Sequence, residues 1–247
     1  MDDRAVINPI AGKRLHQMGS LAVMAATLPD LNYLVKHLGF DQEDSRSFYS
    51  SQVYTRLENG RGFSLTGPFI GAPHAVMLLE NLVCLGISQV IFMGWCGSVS
   101  PDACIGDILV PSCAFSDEGT SRHYGLDDPG ICVEPSLPLQ ALMAETCRAQ
   151  GLSFKQGPVW TTDAIYRETP EKIDDYRKRG ALAVDMELSA LCTAAAFRGI
   201  QLASVLVVSD EVWTHTWKPG FGNKEFKQSR KAVTQMIATL VERIFNG

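Results

Sequence analysis

The sequence lacks several features that would each have assigned it to a broad class. It has no block of lysines and arginines, and 22 basic against 27 acidic residues leave a formal charge of −5. Nucleic acid is therefore a poor partner for it. Its most apolar run, Ile200 to Val208, is strand-sized and far short of the roughly 20 residues that cross a bilayer. The acidic start, Met1-Asp2-Asp3-Arg4, has no signal-peptide h-region behind it. The seven cysteines are odd in number and contain no Cys-x-x-Cys pair. Several lie within apolar segments, where a free thiol behaves as a small hydrophobe. The expectation is a cytoplasmic protein with no disulfide framework and no structural zinc. There is no Gly-x-Gly-x-x-Gly fingerprint for a dinucleotide, and no repeat or Pro/Gly/Ser linker. Residues 1–247 are read as one domain.

What is present is an alternation of apolar runs and amphipathic segments. Leu21–Ala25, Val90–Met93, Ile108–Val110, Phe154–Trp160, Ala181–Val184 and Leu202–Val208 read as strands. Pro29 to about Leu38, Pro73–Leu85, Leu137–Gln150, Glu187–Arg198 and about Lys224–Phe245 read as helices. Tyr49–Arg56 and Gly62–Leu65 read as a hairpin around Asn59-Gly60, a strong turn signal. Continuously apolar strands belong to sheets covered on both faces. The spacing predicts an α/β fold: a three-layer α/β/α sandwich with a central mixed sheet.

Five constellations carry chemistry. Gly94-Trp95-Cys96-Gly97-Ser98 ends a strand, and its two glycines predict a tight turn that either presents N–H groups to an anion or has no ligand. Asp117 to Tyr124 is a polar segment after a strand, a binding loop or a solvated one, with composition favouring the latter. In Asp185-Met186-Glu187 an acid precedes a helix. It either complements the helix dipole or offers a charged acceptor to sugar hydroxyls. In Ser209-Asp210-Glu211 an apolar run leads into acids, either as a cap or as a buried general acid. Trp213, Trp217 and Phe221 surround Lys218-Pro219-Gly220, as a flap over a planar ligand or as a packed loop. His215 in the same segment has no metal-ligand spacing around it, which argues against a metal site.

Taken in order from about Leu21 to Phe245, these segments resemble the nucleoside phosphorylase family: uridine phosphorylase, the hexameric purine nucleoside phosphorylases and the related nucleosidases. The resemblance is carried by Thr66-Gly67 with Gly71-Ala72-Pro73, by Gly94-x-x-Gly97 before Gly106-Asp107, by Asp117–Tyr124, by Asp185-Met186-Glu187, and by Val208-Ser209-Asp210. Asp117–Tyr124 and Thr161–Tyr166 look closest to the uridine phosphorylase branch, Ser209-Asp210 to the purine branch and the nucleosidases. The resemblance implies cleavage of an N-glycosidic bond through an oxocarbenium-like transition state. Glu187 would hold the ribose hydroxyls with Met186 beneath the sugar, and Asp210 would be catalytic, protonating the base. Cys96, Gly97, Ile165 and Tyr166 would contact substrate. Gly67, Trp95 and Arg46 would shape the phosphate end. It also implies a homo-oligomer acting on a small nucleoside, with inorganic phosphate as co-substrate and no metal or organic cofactor.

Three positions depart from the phosphorolytic pattern. Ala26-Thr27-Leu28-Pro29-Asp30 stands where Gly-Asp-Pro-x-Arg is usual. Phe92 replaces an arginine, and Trp95 replaces a serine or threonine. Phosphate wants cationic forks and N–H donors, so Arg46, Arg56, Arg122 or an arginine from a second copy would have to compensate. Phosphorolysis is the expectation. A nucleosidase on the same fold and a non-catalytic nucleoside-binding protein are the alternatives. Asp210 favours purines, while Arg167 and Glu168 leave pyrimidines open.

Overall fold

In a computed structural model, which describes residues 5–9, 18–58, 61–128 and 130–246, the apolar runs become strands of one twelve-stranded mixed sheet. The first half of the chain forms β1 (Leu21–Ala25), α1 (Leu28–His37), β2 (Arg46–Phe48), β3 (Ser51–Glu58), β4 (Arg61–Gly67), α2 (Ala72–Cys84), β5 (Gln89–Ser98), β6 (Ile108–Leu109) and β7 (Ala114–Asp117). The second half forms β8 (Cys132–Val133), α3 (Leu137–Ala149), β9 (Val159–Thr162), α4 (Pro170–Lys178), β10 (Ala183–Asp185), α5 (Leu188–Arg198), β11 (Gln201–Glu211), β12 (Lys218–Pro219) and α6 (Lys224–Asn246). The hairpin of β3 and β4 is antiparallel, as expected, and its Asn59-Gly60 turn lies outside the described residues.

Period-two alternation explains the layers. On β1, Leu21, Val23 and Ala25 share a buried cluster with α1, α3 and α6. Ala22 and Met24 turn to the other face and pack with α2 and α5. Both faces are covered, so the strands need no polar side. This is the expected α/β fold, a central mixed sheet flanked by helices. α4 closes a third, smaller cluster with Phe115, Trp160 and Val184.

β5 organises the sheet. Along one edge it runs parallel to β11 from Gln89 to Ser98. Along the other it pairs parallel with β1 as far as Met93, and then antiparallel with β10 at Gly97 and Ser98. The tight turn expected at Gly94–Ser98 is therefore corrected: these residues continue the strand. Leaving the ladder at Gly94 would strand backbone donors and acceptors between two partners. The irregularity falls on β11 instead, as a register shift between Val208 and Asp210. The strand expected over Phe154–Trp160 is also displaced. Lys155 makes an isolated bridge with Leu109, and the strand proper is Val159–Thr162.

One disulfide, Cys113–Cys132, corrects the expectation that none forms. The antiparallel pairing of β7 with β8 brings the two cysteines to a Cα separation of 5.5 Å, which no sequence spacing announced. No helix among the described residues is long and apolar enough to cross a membrane.

A buried ion pair fastens α1 to α6. Arg230 Nε donates to Asp30 Oδ1 at 2.7 Å, and Nη2 lies 2.7 Å from the same oxygen. Asp30 Oδ2 accepts from Trp95 Nε1 at 2.5 Å, and the Arg230 guanidinium lies 4.8 Å from the Trp95 ring centroid. Removing one partner of a buried pair strands the other charge. Asp30→Ala should destabilise the protein by about 3–5 kcal/mol in urea unfolding, and adding Arg230→Met should recover part of that loss.

Candidate functional site

The gap along β5 between the end of β1 and the end of the antiparallel β10 is where the sheet opens. A cavity of about 1040 Å³ lies there, floored by Trp95, Cys96 and Gly97 of β5. Open α/β sheets place ligands at such points, where neighbouring strands part. Gly97 is the hub. It pairs with Val184 of β10 on one side and with Asp210 of β11 on the other. A Cβ there would stand 3.2 Å from Asp210 Oδ2 and 3.4 Å from Val184 Cγ1, so glycine lets both neighbours lie against the strand.

Glu187 follows β10 at the mouth of α5 and is 6% exposed. Its Oε1 accepts the backbone N–H of Gly71 at 2.7 Å, at the N-terminus of α2. Asp185 next to it accepts from Thr161 Oγ1 at 2.6 Å, Leu188 N at 2.7 Å and Glu187 N at 3.1 Å. Three donors favour its ionised form. Burial pushes both carboxyls upward, and the Asp185 charge adds to the rise at Glu187. With one donor against three, Glu187 is the member of the pair that retains a proton.

Asp210 projects into the same cavity. Its Oδ2 accepts from Trp217 Nε1 at 2.9 Å, and its Oδ1 lies 2.6 Å from Ser209 Oγ. Ser209 Oγ is also 3.2 Å from the Cys96 carbonyl oxygen. A hydroxyl has one proton to give. Ser209 Oγ donates to Asp210 Oδ1, the shorter of its two contacts. Glu211, the next residue, faces away, as alternation along a strand requires. It accepts Ile105 N–H at 3.1 Å and Lys218 Nζ at 3.1 Å, and these donors hold its carboxyl below the usual range against the opposing effect of burial.

Of the residues singled out from sequence, Asp210, Glu187, Met186, Cys96, Gly97, Ile165, Tyr166 and Trp95 all line this cavity. Gly67 and Arg46 do not. A Cβ on Gly67 would lie 2.1 Å from the Ala25 carbonyl oxygen, so its glycine serves the close approach of β4 to β1. Arg46 belongs to the edge strand β2. Arg56 reaches the Gly39 carbonyl at 2.7 Å and Phe40 and Phe63 rather than the cavity, and Arg122 is likewise off the wall. Burial pushes the Cys96 thiol well up, with Asp185 and Asp210 adding to it.

The reading of Asp117–Tyr124 as a solvated loop is corrected. Glu118 is buried and accepts from Ser116, Ser189 and the backbone N–H groups of Thr120 and Ser121. The segment is a strap that fixes the start of α5, and none of it touches the cavity. Sequence reasoning missed His74, which lines the cavity from the first turn of α2. Its position just past Gly71-Ala72-Pro73 was the available signal. Thr27, Ser50, Phe69 and Ile70 were missed as well.

The aromatic segment after Asp210 folds back over the site. β12 pairs with Asp210 and Glu211, and Gly220 N donates to the Ser209 carbonyl at 2.9 Å. Phe221 lies 6.0 Å from the Trp95 ring and 6.3 Å from that of Trp217. His215 Nε2 and Asp174 Oδ1 of α4 are 3.0 Å apart.

The wall carries four carboxyl groups, Glu168, Asp185, Glu187 and Asp210, and among the described residues no lysine or arginine. Because Glu187 is protonated more readily in the folded chain than in the unfolded one, stability falls as pH rises from the ordinary carboxylate range through neutrality. Glu187→Gln should flatten that fall and raise the melting temperature at pH 8 relative to the parent, measured by calorimetry across pH 5 to 9.

Comparison with known proteins follows the same lines. A family model described as Phosphorylase superfamily matches residues 20–246. Purine nucleoside phosphorylases of the DeoD type from Bacillus cytotoxicus and Bacillus cereus are 30% identical over 164 residues, 65% of this chain and 68% of theirs. The fold is shared with uridine phosphorylase from Vibrio fischeri at TM-score 0.77 and 22% identity, over 94% of this chain and 100% of that one. It is shared with purine nucleoside phosphorylase from Toxoplasma gondii in complex with immucillin-H at TM-score 0.81 and 16% identity, over 98% of each chain. A futalosine hydrolase mutant from Helicobacter pylori aligns at TM-score 0.72 and 18% identity, over 91% of this chain and 99% of that one.

Proposed function

The chain belongs to the phosphorylase superfamily, and from that premise we propose that it cleaves the N-glycosidic bond of a purine nucleoside and releases the free base. The observation that carries the reading is the pair Glu187 and Asp210 on one cavity, with Gly97 in register between their strands. Glu187 keeps one carboxyl oxygen clear of its bond to Gly71 and offers it to the ribose hydroxyls, over Met186. Asp210 faces the base. As the bond from the anomeric carbon to the ring nitrogen breaks, its electron pair moves into the heterocycle. A proton from Asp210 to the imidazole-ring nitrogen neutralises that charge.

The nucleophile that the wall favours is water. Asp30, where the phosphorolytic pattern has arginine, is occupied by Arg230 and Trp95, and Phe92 is sealed in the core. A phosphate dianion would meet carboxyl groups with no fixed cation, whereas water meets no such penalty. Water adds its oxygen to the anomeric carbon, and the proton it releases restores Asp210. A second reading, phosphorolysis, is favoured by the likeness to DeoD-type purine nucleoside phosphorylases. It requires a cation from another copy in the homo-oligomer that the family resemblance implies.

Incubation with purine nucleosides, with and without inorganic phosphate, separates these readings. Free ribose at a rate indifferent to phosphate is expected. Ribose 1-phosphate formed only with phosphate would establish the second reading. A wild-type protein that binds nucleosides and turns none over would be a binding protein, and the proposal would be wrong. Asp210→Asn should lower kcat roughly 10²–10⁴-fold on purine nucleosides with little change in KM, read from base release by absorbance.

A further inference from the structure

Glu168 is the carboxyl group of the cavity wall that the proposed chemistry leaves unused. It sits between a short 3-10 turn at Ile165–Arg167 and the N-terminus of α4. It lines the cavity, yet its side chain makes no hydrogen bond and no ion pair among the described residues. The other three acids on the wall are engaged: Asp185 by three donors, Glu187 by Gly71 and Asp210 by Ser209 and Trp217. A half-buried carboxyl without a protein partner, facing a cavity, is placed to meet a ligand.

We propose that Glu168 is a specificity residue, whose carboxyl group reads the 6-substituent of a purine held with its imidazole-ring nitrogen at Asp210. This rests on the nucleoside-cleaving reading above. A purine presents N7 and its 6-substituent side by side on one edge: an acceptor beside an N–H donor when the substituent is amino, two acceptors when it is oxo. Two carboxyl groups on one cavity wall, close enough for the charge of one to act on the other, can meet that edge. Asp210 gives a proton to N7, and Glu168 meets the group beside it.

Glu168 is equipped to take either part. Burial, and then the charge of Asp210, push its carboxyl up to about 7. Ionised, it accepts from a 6-amino group and meets a 6-oxo group with repulsion. Protonated, it donates to a 6-oxo oxygen. The other titratable groups on the walls around it are Tyr166 of the turn before it, Cys96 of β5, Asp185 and Glu187 ahead of α5, His215 of the aromatic segment and His74 of α2. Asp210 is the one whose charge acts on Glu168. The sign is then fixed: preference for 6-aminopurine nucleosides rises with pH through neutrality, and preference for 6-oxopurine nucleosides rises as pH falls.

The test is kcat/KM for adenosine and inosine from pH 5.5 to 8.5, in wild type and in Glu168→Gln. In the wild type the adenosine-to-inosine ratio should climb about tenfold or more across the range, the scale of a hydrogen bond to a charged group gained or lost. In Glu168→Gln it should be flat, because an amide carries both a donor and an acceptor at every pH. An unchanged melting temperature would verify that this near-isosteric variant folds. A wild-type ratio that does not move with pH, or a slope that survives in Glu168→Gln, would overturn the assignment while leaving nucleoside cleavage intact. Failure of the wild type to cleave either nucleoside would overturn the cleavage reading itself, and the role of Glu168 with it.

Discussion

β5 outlasts its neighbour. β1 stops at Ala25, opposite Met93, while β5 continues to Ser98. For five residues beyond Met93, one edge of a central strand must find other backbone partners or leave polar groups stranded in the interior. β10 arrives antiparallel and satisfies only Gly97 and Ser98. Between the two partners there is a notch in the sheet, and the cavity is that notch. The residues on its rim follow from the pairing. Ala26 and Thr27 continue β1, Glu187 continues β10, and Asp210 sits opposite Gly97 across the bulge in β11. Without the bulge, Ser209 would sit opposite Gly97, and Asp210 would move on to Ser98 and turn to the other face.

The price of the notch is electrostatic. Four carboxyl groups converge on a cavity whose lining is otherwise largely apolar, and like charges so placed cannot all ionise together. The fold sorts them by the donors it supplies. Asp185 receives three, two of them N–H groups at the start of α5, and takes a structural role as the cap that fixes the Glu187 backbone. Glu187 receives one. Trp217 covers Asp210 from the flap, although its ring is largely exposed, with 61% of its surface open. On the proposed reading, a base arriving at Asp210 displaces a weakly seated indole rather than a packed core residue. The dividing line between structure and chemistry in this site is the number of backbone donors each acid has captured.

Local pattern made the layers legible. Leu21–Ala25, Leu202–Val208 and the α5 segment ending at Gly199 are continuous or periodic enough to announce themselves, and their order carried the family resemblance. Long-range pairing was not legible. Gly94 and Gly97 read as turn residues because glycine permits a turn. They stay extended because β11 is hydrogen-bonded along one edge of the strand while β10 holds its end on the other. Asp117–Tyr124 reads as solvated because its residues are polar. Their partners, Ser189 and Thr193 of α5, lie about 70 positions away. Asp30 and Arg230 are 200 positions apart, so the loss of an arginine at Asp30 was visible in sequence while the group that neutralises its replacement was not. Cys113 and Cys132 met for the same reason, through a strand pairing too short to predict.

The Asp30 exchange also connects the two ends of the chemistry. An arginine aimed at the notch would offset the charge of the acids on the wall and give an anionic nucleophile a seat. Here the cation is held internally: Arg230 is buried against Asp30, lies 4.8 Å from the Trp95 ring centroid and is not among the residues that line the cavity. What remains facing the ligand is an apolar floor and an excess of carboxyl groups. On the reading proposed above, that combination offers phosphate no cation. On the same reading it suits a sugar that becomes cationic as its bond to the base stretches, because carboxyl groups already held in place by the fold need no reorganisation at the transition state. On the proposed reading, the arrangement that disfavours one nucleophile leaves the site to a weaker one. A neutral water attacking late on a well-developed oxocarbenium ion is the chemistry with which such a wall is compatible.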